Sequence, residues 1–326
     1  MNESFYKNLH AEGLLSDESF DKITQPRPPA NFSVQWEVRG LLYIGVLLLT
    51  GGLGLLVYEN IDTIGHKIVL AGIGAIVVGC FIYCSKTSLP FSPQKVKAPN
   101  AYFDYVLLLG SVSMASFVGY WQYQYHIFGT SYGLATFIPM LALFFIAYYF
   151  DHLGILSMAI ANLAIWMGVS VTPKALLLQN DYDSGTLIVT YIVLGILLVV
   201  AAFLSQHYNF KKHFKFTYLH YGVHVSYIAL LAGYFHYYDN FSAAIFMAGL
   251  ILLSLLLYID SVTNKSFYFL VLMSLYSYIA LSSLVCRVLS QVGDIGAVYL
   301  ILLYFIASAI GLIFLLISFN KKLKAS

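Results

Sequence analysis

Two histidines lie one helical turn apart in a stretch that is otherwise largely apolar. His220 and His224 fall within residues 216–234, and His224 is nine residues beyond Lys215, or about 13 Å along a helix. That distance places His224 near the middle of a bilayer core about 30 Å thick. Ionisable residues at such a depth are costly and are candidates for function. Helical spacing predicts one polar face formed by His213, Thr217, His220, His224 and Tyr227.

Three interpretations of this face are open. Neutral histidines can hydrogen-bond to Tyr, Ser or Asn on neighbouring helices and serve packing alone. The face can also line a path for a substrate or for protons, because a polar stripe must face protein or water. Metal or haem ligation is the least supported, since no acid lies beside the pair and no other apolar stretch has a central histidine. We therefore expect no metal and no other cofactor.

A second group of polar residues lies in the turns that follow the odd-numbered apolar stretches. Aromatic residues crowd the same level, within residues 120–125 and 234–238. An aromatic belt at the membrane interface explains this pattern, and so does an outer vestibule whose acids attract a cation or a polar head group. The candidate vestibule residues are Glu59, Asp62, His126, His236 and Asp239.

The elements that carry these residues are ten apolar stretches. Only 10% of the residues are charged, against about 25% in soluble proteins. A helix needs about 20 apolar residues to cross a bilayer, and the backbone must satisfy its hydrogen bonds inside the hydrocarbon. The stretches are residues 41–58, 68–84, 102–120, 132–150, 153–172, 185–205, 216–234, 241–259, 266–285 and 295–319. The sequence predicts an all-α fold, a polytopic transmembrane helical bundle of about ten spans.

Lysine and arginine are distributed unevenly between the two sets of connecting segments. Fourteen of the 17 such residues fall on the side that holds both termini, and only Lys67, Lys174 and Arg287 fall on the other. A bias of this kind marks the cytoplasmic side of a membrane protein. We expect a multi-pass protein with both termini in the cytoplasm.

The residues before the first span are too few and too polar for a core of their own. Ser16 can cap a helix whose first turn carries two acids, and three prolines between residues 26 and 29 end it. We expect three parts. Residues 1–38 form a cytoplasmic helical hairpin and linker, residues 39–320 form the transmembrane domain, and residues 321–326 form a basic cytoplasmic tail.

Three short motifs resemble the domain of unknown function 2157 family of predicted bacterial membrane proteins. They are Gly13-Leu14-Leu15-Ser16, the glycine-rich stretch from Gly45 to Gly54, and Asn60-Ile61-Asp62. The family has Asn-Trp-Asp where this chain has Ile61 in the middle position. The resemblance covers at most roughly the first 150 residues. It implies a bacterial inner (cytoplasmic) membrane and supplies no activity.

Three functions remain open at this point, and a membrane enzyme is the least supported of them. The ten spans and the midplane histidines favour transport or handling of a small molecule or a lipid through the helical bundle. The lack of buried carboxylates and the N-terminal hairpin favour a non-catalytic scaffold, sensor or accessory subunit. We expect no enzyme, because no acid–base or metal set converges in the sequence. The expected partners are membrane lipids and a protein that contacts the N-terminal hairpin, and nucleic acid is not among them.

Overall fold

The computed structural model describes residues 10–12, 16, 35–59, 65–100, 102–129, 132–171, 185–291 and 295–325. Within these ranges the regular secondary structure consists of ten long α-helices and a short 3₁₀ helix, without a strand. The predicted all-α class is confirmed.

Each predicted span coincides with one helix. The helices are α1 (Gln35–Glu59), α2 (His66–Thr87), α3 (Phe103–Tyr125), α4 (Tyr132–Phe150), α5 (Leu153–Val171), α6 (Gly185–His207), α7 (Lys215–His236), α8 (Ser242–Thr263), α9 (Phe267–Ser290) and α10 (Ile295–Ala325). The 3₁₀ helix, Lys212–Phe214, directly precedes α7. Long apolar runs bounded by polar turns were therefore a sufficient signal for the helices.

Eight of these helices are long and apolar enough to cross a membrane by length and composition, among the residues that the structure describes. The two others are α1 and α7. In α1 several side chains after Leu49 lie outside the described residues, and the stretch that could be assessed, Gly40–Leu49, is apolar. In α7 the helix is long, but histidine, tyrosine and serine lower its hydropathy. The chain is thus a polytopic helical membrane protein, and α7 is the helix least suited to lipid contact.

The chain divides into two compact units, residues 1–60 and 61–326. The first unit contains α1, and the second contains α2 to α10. Most of the predicted N-terminal hairpin lies outside the described residues. The predicted basic tail continues α10 to Ala325, with Lys322 and Lys324 in the last turn, where lysine interacts favourably with the helix dipole.

Within the second unit, α7 packs against α5, α6 and α8. Half of its 22 residues are buried, so neighbouring helices rather than lipid surround much of it. The contact with α6 is close, because a Cβ atom at Gly222 would lie only 3.0 Å from Leu198 Cβ. Small residues permit such an approach between membrane helices. Burial of α7 by protein explains how a comparatively polar helix is accommodated.

Two turns bring distant parts of the chain together at the predicted cytoplasmic end. Asp151 and His152 alone connect α4 to α5, and Asp151 has a φ of 60°. Aspartate tolerates this left-handed conformation better than most residues. Lys211, with a φ of 49°, donates its backbone N–H to the Pro93 carbonyl at 2.7 Å. The α6–α7 turn is thereby tied to the segment between α2 and α3.

Candidate functional site

The two histidines of the polar stripe face tyrosines of α9. His220 Nδ1 lies 2.6 Å from the Tyr268 hydroxyl, and His224 Nδ1 lies 2.7 Å from the Tyr276 hydroxyl. The two imidazole rings are 4.7 Å apart, centroid to centroid. The Tyr268 hydroxyl also lies 3.5 Å from His224 Nε2. We call these four residues the His–Tyr network.

Tyr227 extends this polar contact into the buried interface with α8. Its side chain is fully buried, its hydroxyl lies 2.8 Å from Ser254 Oγ, and Ser254 Oγ lies 3.0 Å from Ser277 Oγ. The ring of Tyr227 stacks on that of Tyr276 at 4.7 Å. Hydrogen bonds and ring contacts therefore join α7, α8 and α9 at the level of the predicted midplane.

The other two members of the predicted stripe behave differently from the histidines at its centre. Thr217 is buried on α7. His213 lies before α7, in the 3₁₀ helix, and its Nε2 contacts Asp151 instead. The prediction that His213 continues the stripe was therefore wrong, because the helix does not begin until Lys215.

The His–Tyr network offers imidazole nitrogens and phenolic hydroxyls as hydrogen-bond donors and acceptors. His224 contacts a hydroxyl with each ring nitrogen, an arrangement that can pass a proton from one side of the ring to the other. The network extends over only five residues of α7, from His220 to His224, or about 6 Å. Both histidines are half-buried. The described residues include no group of three or more His, Cys, Asp or Glu that could hold a metal ion.

The candidate outer vestibule is only partly described. His126 directly follows the last residue of α3, has a left-handed backbone conformation and is exposed. His236 is exposed at the end of α7. Asp239 is 93% exposed and lies 3.8 Å from Arg287. Glu59 is the last residue of α1, and Asp62 lies outside the described residues. The vestibule stays a prediction.

Sequence reasoning missed a buried set of charges at the predicted cytoplasmic end. Asp151 and Lys211 have side chains that are 1% and 0% exposed, and Lys211 Nζ lies 3.1 Å from Asp151 Oδ1. His213 Nε2 lies 2.6 Å from the same oxygen. The backbone N–H of Val96 donates to Asp151 Oδ2 at 2.5 Å. We call Asp151, Lys211 and His213 the Asp151 cluster.

His152 follows Asp151 and fixes the start of α5. Its Nδ1 accepts the backbone N–H of Ile155 at 3.1 Å, and its Nε2 lies 3.9 Å from Asp104. Burial disfavours the charged imidazole and lowers the pKa of His152, although Asp104 and Asp151 oppose that shift. The signal for this arrangement was present in the sequence, since two polar residues between two apolar stretches leave no room for a solvated loop.

Two neighbouring cavities lie along α8 and α9. The larger, about 470 Å³, is the α8–α9 groove, whose walls include Ile251, Leu255 and Leu281. A second cavity of about 270 Å³, which we call the outer cavity, contains Arg287 and Tyr234. The two share a pair of lining residues, Met247 and Leu284. The apolar groove is thus adjacent to a cavity that carries a cationic side chain.

Comparison with known proteins supports the membrane assignment for the first half of the chain. Residues 7–156 match the family model described as Predicted membrane protein (DUF2157), which confirms the predicted resemblance. No curated protein and no solved structure matches the chain. The His–Tyr network, the α8–α9 groove and the outer cavity all lie beyond residue 156, so their roles must be argued from their geometry.

Proposed function

We propose that this membrane protein handles a lipid, and that the α8–α9 groove holds one acyl chain of that lipid. The observation that carries the proposal is the groove itself, which has a volume of about 470 Å³ and walls formed mainly by Leu, Ile, Met and Ala side chains. Acyl chains are the apolar molecules that a groove between membrane helices meets at the highest concentration. Their transfer between lipid and such a wall costs little.

The length of the groove supports an acyl chain as its occupant. Its lining runs from Met247 to Tyr258 on α8 and from Met273 to Leu284 on α9. Each of these segments rises about 16 Å, which is roughly half of a hydrocarbon core about 30 Å thick. The groove is therefore about as long as the hydrocarbon layer of one leaflet is thick, which suits a single acyl chain.

The polar atoms within the groove are compatible with an apolar occupant. Ser254 and Ser277 line it, but their hydroxyls contact each other at 3.0 Å. Ser254 Oγ also donates to the Leu250 carbonyl at 2.7 Å. Hydroxyls that are already hydrogen-bonded do not require a polar ligand. The same serines join the groove to Tyr227 and thus connect it to the predicted polar stripe of α7.

The cellular setting belongs to the same proposal. The excess of Lys and Arg on the side of both termini supports an inner-membrane protein with cytoplasmic termini. In this orientation Tyr258 lies towards the cytoplasmic leaflet, and Met247 and Leu284 lie towards the opposite one. The outer cavity then opens at the non-cytoplasmic end of the groove.

Photo-crosslinking tests the occupancy of the groove. The full-length protein is reconstituted in phosphatidylglycerol vesicles that contain a phosphatidylglycerol with a diazirine on its palmitoyl chain, and the adducts are mapped. We expect adducts concentrated in residues 247–258 and 273–284. Leu255→Trp and Leu281→Trp should fill the groove and reduce these adducts several-fold.

Two neighbouring substitutions provide matched controls. Leu252 and Ile279 are 60% and 46% exposed and lie on the same helices, but they are not among the groove residues. Leu252→Trp and Ile279→Trp should leave the adducts unchanged. Adducts spread evenly over α2 to α10, or equal effects of all four tryptophans, would contradict the proposal.

Transport is distinguished from static binding in the same vesicles. A fluorescent phosphatidylglycerol in the inner leaflet becomes accessible to a membrane-impermeant quencher only when it crosses the bilayer. Faster quenching with the wild-type protein than with Leu281→Trp indicates transport between leaflets. Equal slow quenching, with adducts still present in the groove, indicates a protein that holds lipid without moving it.

A further inference from the structure

The outer cavity contains a charged side chain, which the α8–α9 groove lacks. It is lined by Tyr234 of α7, Asn240 in the α7–α8 turn and Arg287 of α9, together with apolar residues of α8. Met247 and Leu284 belong to both linings. A molecule with an apolar chain in the groove would therefore place its polar end among these three side chains.

Arg287 is held in place, and among the described residues it donates only one side-chain hydrogen bond. Its Nη1 donates to the Tyr238 carbonyl at 2.6 Å, and the guanidinium lies 4.2 Å from the centre of the Tyr238 ring. Its Nη2 lies 3.8 Å from Asp239 Oδ1, which is too far for a hydrogen bond. A guanidinium has five N–H groups in a planar fork that suits phosphate and carboxylate oxygens. The side chain is thus positioned to accept an anion.

Tyr234 supplies an independent sign that a ligand belongs here. The residue is only 3% exposed and lines the cavity, and its hydroxyl has no hydrogen-bond partner among the described residues. A buried hydroxyl without a partner costs stability and calls for a specific explanation. An acceptor atom entering from the cavity would satisfy it once the side chains that now cover the hydroxyl move aside.

We infer that the outer cavity binds the phosphate group of a membrane lipid whose acyl chain lies in the α8–α9 groove. This inference rests on the proposed function and names the head-group site for it. Arg287 provides the positive charge and Tyr234 donates a hydrogen bond to the phosphate. Asp239 is the competing anion, loosely placed and 93% exposed.

Equilibrium binding of radiolabelled palmitoyl-lysophosphatidate to the full-length protein in detergent tests this site. Arg287→Gln should weaken binding at least about tenfold, because a charge-assisted hydrogen bond is lost. Asp239→Asn should strengthen it about twofold, since a screened negative charge is removed. If neither substitution changes the affinity, the inference is wrong.

Tyr234→Phe separates binding from folding. The variant keeps the buried ring and removes only the hydroxyl, so binding of palmitoyl-lysophosphatidate should weaken about fivefold. Its thermal stability without lipid should be unchanged or higher, because an unpaired buried hydroxyl has been removed. Lower stability with unchanged binding would overturn the role of Tyr234.

Two further ligands test whether the bound phosphate belongs to a lipid or is free. They also distinguish the head-group site from the proposed function. Glycerol phosphate has the head group without the chain, and monopalmitoylglycerol has the chain without the phosphate. We expect both to bind at least about tenfold more weakly than palmitoyl-lysophosphatidate. Glycerol phosphate binding equally well would assign the cavity to a free phosphate and overturn the lipid source.

Monopalmitoylglycerol binding equally well, with no effect of Arg287→Gln, would overturn the head-group site and leave the proposed function intact. If neither monopalmitoylglycerol nor palmitoyl-lysophosphatidate binds, the head-group site and the proposed function both fail.

Discussion

The Asp151 cluster and the His–Tyr network hold polar side chains inside the same unit by different means. The cluster consists of ionisable groups from turns, with Asp151 and Lys211 almost completely buried. The network consists of imidazole and hydroxyl groups within helices, and Tyr268 in it is still 38% exposed. The comparison teaches that the strongest electrostatic contact need not lie in the most conspicuous polar helix.

The energetic consequences of the two arrangements differ. Removing one partner of a buried ion pair leaves an uncompensated charge and costs about 3–5 kcal/mol. A hydrogen bond between membrane helices contributes on average only about 0.6 kcal/mol, because the unfolded helices in the membrane also find partners. The Asp151 cluster should therefore control stability, and the His–Tyr network should modulate it.

The largest expected effect is that of Asp151→Asn. The change should lower the unfolding free energy by about 3–5 kcal/mol, because Lys211 loses its only close carboxylate among the described residues. Titration of the purified protein with sodium dodecyl sulfate measures the loss. Asp239→Asn is the matched control, since Asp239 is 93% exposed and its removal should leave stability unchanged. Similar losses of unfolding free energy in both variants would contradict the expectation that the buried ion pair stabilises the protein more than the exposed pair does.

A second substitution should partly reverse that loss. Adding Lys211→Met to Asp151→Asn removes the uncompensated charge and puts an apolar side chain of similar length in its place. At least about 2 kcal/mol of the unfolding free energy should return, as when an apolar residue replaces a buried ion pair. The same titration provides the measurement. A double variant less stable than Asp151→Asn would mean that Lys211 stabilises the turn by other contacts, such as that with Phe91.

Substitutions in the His–Tyr network should have smaller effects. His224→Phe and Tyr276→Phe each remove one member of the pair that is separated by 2.7 Å. Each should cost about 1 kcal/mol, with a coupling of about 0.6 kcal/mol in the double-mutant cycle. A coupling above about 3 kcal/mol would mean that the His–Tyr network contributes as much stability as the Asp151 cluster, and the expected difference between the two would be wrong.

The smallest expected effect is a pH dependence from His152. Its pKa is lowered in the folded protein, mainly by burial, so the unfolded chain binds the proton more readily. The stability that neutral His152 contributes is fully present above its unfolded pKa of about 6.5 and is lost as the pH falls from that value through the lower folded pKa. Wild type should therefore lose stability as the pH falls below about 6.5.

His152→Asn isolates this contribution. Asparagine can still accept the N–H of Ile155 as a helix cap but does not titrate in this range. The variant should lose less stability than wild type over the same pH interval, as measured by thermal unfolding at each pH. Equal losses would assign the pH dependence to other groups.

The predicted stripe shows how far residue spacing alone can identify a site. His220 and His224 lie on one face as expected, and Tyr227 follows on the same helix. Their partners Tyr268 and Tyr276 were not predicted, because aromatic residues in an apolar stretch do not reveal which neighbour they face. His213 was assigned to the wrong group, since helical spacing has no meaning before the helix begins.

The sequence by itself determined that this chain is an all-helical membrane protein and where its helices lie. Apolar runs carry that information locally, because each run must match the thickness of the hydrocarbon. Only the tertiary structure decided that Asp151 meets Lys211, or that Arg287 and Tyr234 share a cavity. The residues of the first pair are 60 positions apart in the sequence and those of the second pair are 53 positions apart. Whether they meet depends on how the helices pack. In a bilayer many packings bury similar apolar area, so pairing is specified by shape and hydrogen bonds that no local pattern records.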